Sequence, residues 1–187
     1  HPQVAECAVV GIADENGSAH LADERLVGQR SLNDLVAAAR TTDGVSPRAL
    51  LGEQMAARFR LTPGDTENAA AIATKLSAKD AQLLTSALAS AKTPEAVRAM
   101  GAIANQKDVD VEVRAQAATP LAFDGPLAAE AKDALLQAMG DGSRDVRTSA
   151  ALALGNVARE LGGDAALVSE LVHGIHDARD EDERISF

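Results

Sequence analysis

The chain has 187 residues, a formal net charge of −10 and an apolar share of 46%, with 2% aromatic residues and neither Trp nor Tyr. That apolar share is too high for a disordered chain, and no run approaches the roughly 18 apolar residues that a membrane-spanning helix needs. One cysteine, Cys7, excludes an intrachain disulfide framework and a Cys-built zinc site.

Charge narrows the partners further. There are 18 basic residues against 28 acidic ones, and the basic ones are not clustered. Phosphate backbones are bound by clustered Lys and Arg that release counterions. Single strands also need aromatic platforms for stacking, and Phe59, Phe123 and Phe187 are scattered. Nucleic acid is therefore not an expected partner, and an anionic membrane surface is disfavoured for the same reason. The acid excess reads as a solvated surface. Residue 1 is His, so the expectation is a processed chain or one cut from something longer. Both a cytoplasmic protein and one secreted after leader removal fit, and the compartment stays open.

In chain order, Val4 to Ile12 reads as a short strand or an irregular apolar arm, followed by a turn at Asp14-Glu15-Asn16-Gly17-Ser18. A short helix over 21–30 completes an N-terminal extension, or the end of a preceding domain, over residues 1–30. The helix signals then recur with regular punctuation. Ser31 caps 32–40, with Asp34 at the third position. Ser46-Pro47 predicts a cap and a Pro at the first helical position, with Leu50, Leu51, Met55 and Phe59 on one face. Thr62-Pro63-Gly64-Asp65 predicts a turn, and Thr66 starts 67–76. Ser77, with Asp80, opens a helix carrying Leu83, Leu84, Ala87 and Leu88. Thr93-Pro94 opens one with Val97, Met100, Ile103 and Ala104 inward. A helix from near Asp110 carries Val113, Ala117 and Leu121, and Pro120 bends or ends it. Gly125-Pro126 restarts a helix with Leu127, Ala131, Leu135, Leu136 and Met139. The helix over 144–161 turns Val146, Ala150, Leu154 and Val157 inward, and Gly162-Gly163 breaks it. The next carries Leu167, Val168, Leu171, Val172 and Ile175. Linkers of two to six residues suit antiparallel neighbouring helices.

Internal similarity is the strongest signal. Asp108, Val113-Arg114 and Ala117-Ala118 recur about 33 residues later as Asp141, Val146-Arg147 and Ala150-Ala151, and Leu121 falls on Leu154. A third copy begins at Asp177 and reaches Arg184. These residues resemble HEAT repeats, the helix-pair units of α-solenoids, and Arg147 through Gly155 follows the family pattern closely. The likeness is good over 94–187, weaker over 47–93, and absent before residue 30. It implies an all-α fold, a right-handed superhelix of antiparallel helix pairs over residues 31–187 that continues beyond the last residue. One pair cannot bury its apolar face alone, so pairs stack. The resemblance also implies a structural ladder in which Asp108, Arg114, Asp141, Arg147, Asp177 and Arg184 bridge neighbouring repeats.

Candidate chemistry is sparse. His173 and His176 lie three apart on one helix beside Asp177, a spacing that suits a metal but lacks a third ligand from elsewhere; polar histidines near a helix end are the plainer expectation. Asp14, Asn16 and Ser18 imitate the start of a calcium loop, yet Ala19 and Arg25 stand where Gly and Glu are required. Cys7 reads as a small buried apolar group. No phosphate loop or nucleophile elbow occurs, so no catalytic residue and no cofactor is expected. The leading expectation is a non-enzymatic interaction or scaffold module presenting an acidic surface to a protein partner with a basic patch. As an alternative, Leu88 through Val97 with Ala153-Leu154-Gly155 is similar to the helical segment of vitellogenin-type lipid-transfer proteins, which implies lipid. A HEAT-like enzyme with an unrecognised site is the third.

Overall fold

A computed structural model describes residues 30–123, 125–163 and 165–177, with the backbone alone at 175–177. The expected arm at 4–12, the helix over 21–30, the calcium-like turn, Cys7 and Arg184 lie outside the described residues. What is described is all helical: α1 Leu32–Thr41, α2 Val45–Leu61, α3 Gly64–Glu67, α4 Ala69–Ala73, α5 Ala78–Ala91, α6 Pro94–Asn105, α7 Val111–Ala118, α8 Pro126–Met139, α9 Arg144–Glu160 and α10 Ala165–Asp177.

Local chemistry sets most boundaries. At α1, Ser31 Oγ accepts from the Asp34 N–H, and Asp34 Oδ2 accepts from the Ser31 N–H, a reciprocal capping box. Ser77 and Thr93 accept from backbone N–H groups at the starts of α5 and α6, where Pro94 occupies the first helical position. Pro120 ends α7 at Ala118 and leaves one 3₁₀ turn, Thr119–Leu121. Gly162 and Gly163, both at positive φ, terminate α9.

Three expectations need correction. Ser46 does not cap α2: the helix begins at Val45 after Gly44 (φ 95), because the Arg48 N–H already reaches the Gly44 carbonyl. Pro47 is tolerated there because first-turn N–H groups have no helical acceptor. The helix expected over 67–76 is two short ones. Thr66 is buried with its hydroxyl on the Pro63 carbonyl, which starts the first at Gly64, and the Asn68 N–H turns to the Thr66 carbonyl, which breaks the regular ladder. On α10, Leu167 is fully buried and Leu171 partly so, but Val168 and Val172 face outward, since the helix packs chiefly on α9 with a narrow stripe.

The helices form two layers. One layer holds α2, α5, α7 and α9, packed side by side in that order; α4, α6 and α8 pack in sequence in the other. The first-layer helices begin at residues 45, 78, 111 and 144, a period of 33. A single core runs between the layers, through Phe59, Leu84, Leu88, Met100, Ile103, Leu121, Leu135 and Leu154. Each such side chain contributes about 1.5–3 kcal/mol by leaving water. Alanine occupies the close contacts, and at Gly101 the approach is closer still: a Cβ there would lie 2.6 Å from the Ala134 Cβ. This is an all-α solenoid of stacked helix pairs.

Candidate functional site

The 33-residue period places Arg48, Ala81, Arg114 and Arg147 at the fourth position of α2, α5, α7 and α9. A side chain there reaches back toward the preceding connection and forward to the next repeat. Arg48 does both. Its Nη1 donates to the Ala39 carbonyl at 2.7 Å, and its Nη2 donates to the Lys79 carbonyl and to Asp80 Oδ1, each at 3.0 Å. Arg147 Nη1 donates to the carbonyls of Asp141 and Gly142, at 2.9 and 3.1 Å.

Arg114 makes the most buried of these links. Its guanidinium pairs with Asp141 Oδ2, 27 residues ahead in the connection before α9. Both side chains are almost fully buried, at 7% and 2% exposure. Lys107 donates to the same oxygen from a largely exposed position, and Asp141 Oδ1 accepts from the Ser143 N–H at 2.7 Å. Burial alone would raise the Asp141 pKa. The hydrogen bonds from Lys107 and Ser143 and the charges of Arg114 and Lys107 outweigh it and hold the carboxyl below its ordinary value. Asp34 is also lowered, first by its hydrogen bond with the Ser31 hydroxyl.

The structure therefore brings Arg114 and Asp141 together, and places Arg147 against the carbonyls of Asp141 and Gly142. Asp108 is different: it lies exposed, and its neighbour Asp110 caps α7 by accepting from the Glu112 N–H. The cause is legible in the period. The residue 27 before Asp108 is Ala81, so the arginine that buries Asp141 has no counterpart. Arg48 and Asp80 form an inter-repeat pair that the sequence reading missed. The signal was the exact recurrence of first-layer helix starts, which extends the repeat back to residue 45.

His173 is exposed on α10; the side chains of His176 and Asp177 lie outside the description. Among the described residues, no three His, Cys, Asp or Glu side chains are placed to hold a metal ion. None of the described helices is long and apolar enough to cross a membrane.

No curated protein and no solved structure matches the chain. Residues 102–187 match a family model described as HEAT repeats. Taken with the 33-residue period, the two packed layers and the inter-repeat arginines, this match supports a helical protein of the HEAT-repeat kind.

Proposed function

We propose that the chain is a non-enzymatic interaction module that docks a protein partner carrying a basic patch. HEAT repeats generally serve as protein-interaction or scaffold units, and stacked pairs offer an extended surface for that purpose. One observation carries the finer reading. At the connection before α7, both nearby cations are committed to Asp141, since Lys107 and Arg114 share its Oδ2. Asp108, Asp110 and Glu112 are left exposed along one edge. On a chain of net charge −10, that edge favours a cationic surface and speeds its approach.

The test is affinity capture on the immobilised chain, with bound protein and bound lipid both analysed. A captured protein should dissociate as salt is raised, and Asp108→Lys with Glu112→Lys should abolish its capture while leaving the thermal transition in place. Capture that survives both changes overturns the acidic-edge reading. Bound lipid with no protein would favour a carrier role instead.

A further inference from the structure

The three seams between successive repeats are not tied alike. Between α2 and α5 the first layer is linked by Arg48 to Asp80, by Lys79 to Asp43 in the connection before α2, and by Arg60 to the Ser90 carbonyl. Where α7 meets α9, Arg114 and Lys107 hold Asp141. Between α5 and the α7 segment, among the described residues, no side-chain hydrogen bond or ion pair crosses. In place of such a link there is a cavity of about 390 Å³, lined by Gln82, Thr85, Ser86, Gln116, Thr119 and Pro120 among others. Two sequence features distinguish this seam. Ala81 stands where the other repeats have arginine, and Pro120 cuts α7 short, so that the helix beside α5 ends at Ala118.

The second layer of the same seam is tightly held. Arg98 bridges Glu95 and Glu130, Asn105 Nδ2 donates to the Ala134 carbonyl at 2.9 Å, and Gly101 lies hard against Ala134. One edge is pinned and the opposite edge is open and unlinked.

We propose that this seam is the hinge of the solenoid. The contact of α6 with α8 is the pivot, and the cavity between α5 and the α7 segment narrows and widens as the array bends. In stacked repeats each seam contributes its own nearest-neighbour interaction, so bending concentrates where the cross-links are missing. Asp108 is the unused half of the missing rung. An arginine at position 81 would stand to Asp108 as Arg114 stands to Asp141.

The test uses spin-label pairs on the full chain with Cys7→Ser, read as distance distributions by pulsed electron resonance. Exposed Glu53 on α2 and Thr119, each replaced by Cys, span the open seam together with the tied seam between α2 and α5. Exposed Thr119 and Ser169 on α10, likewise replaced, span the tied seam between α7 and α9. The first pair should give the broader distribution. Ala81→Arg should narrow the first pair and leave the second unchanged, and adding Asp108→Ala should restore the width. A first-pair distribution no broader than the second overturns the hinge, whether or not Ala81→Arg folds. So does a narrowing by Ala81→Arg that persists without the Asp108 carboxylate.

Discussion

Asp141→Ala should be the most damaging single polar substitution in the described solenoid. It removes the carboxylate paired with Arg114, whose side chain is 7% exposed, and strips the Ser143 N–H and Lys107 of their acceptor. The Arg114 Nε is already buried without a partner, so losing the Nη1 acceptor adds to an existing deficit. Breaking a buried pair from one side costs about 3–5 kcal/mol, because it leaves a desolvated charge uncompensated. For a chain of this size that is a fall in Tm of roughly 6–20 °C. Lys107→Ala, on a side chain 67% exposed, should cost no more than about 1 kcal/mol. The measurement is urea unfolding followed by far-ultraviolet circular dichroism, with Arg114→Met and the Arg114→Met/Asp141→Ala double variant completing a cycle. The double variant should recover much of the loss, since an apolar pair carries no desolvation cost. If Asp141→Ala proves as mild as Lys107→Ala, or if the double variant loses the sum of the two single losses, the buried link is not what holds α7 to α9.

The same carboxylate sets a pH response. Its folded pKa lies below its ordinary value, so its contribution is complete above the unfolded pKa of about 3.9 and is lost as pH falls through the lower folded value. Acid titration of stability should therefore fall more steeply below about pH 4 in the wild type than in Asp141→Asn; equal slopes would show that the carboxylate is not perturbed. Gly101→Ala should destabilise by about 1–3 kcal/mol, because the new Cβ has no room against Ala134 and must push α6 from α8. Thermal melting checks it, and an unchanged Tm would mean the two helices separate without cost.

Much of the fold was legible in the sequence, because its determinants are local. Ser31, Ser77, Thr93 and Pro126 mark helix starts by satisfying or lacking first-turn N–H groups, and those contacts lie within three residues. Leu84, Val97, Leu135 and Leu154 announce inward faces by spacing alone. The repeat, with Arg114 and Arg147 at equivalent places, followed from composition at a fixed period. Where the sequence reading failed, tertiary contact had decided. Thr66 splits a helix because burial turns its hydroxyl to the Pro63 carbonyl, and Val168 faces out because α10 packs chiefly on α9. Asp108 and Asp141 occupy the same repeat position, but one is solvated and the other buried. Their fates diverge on the residue 27 places earlier, alanine for one and arginine for the other. A ladder rung is a property of two repeats, so no single repeat read by itself can specify it.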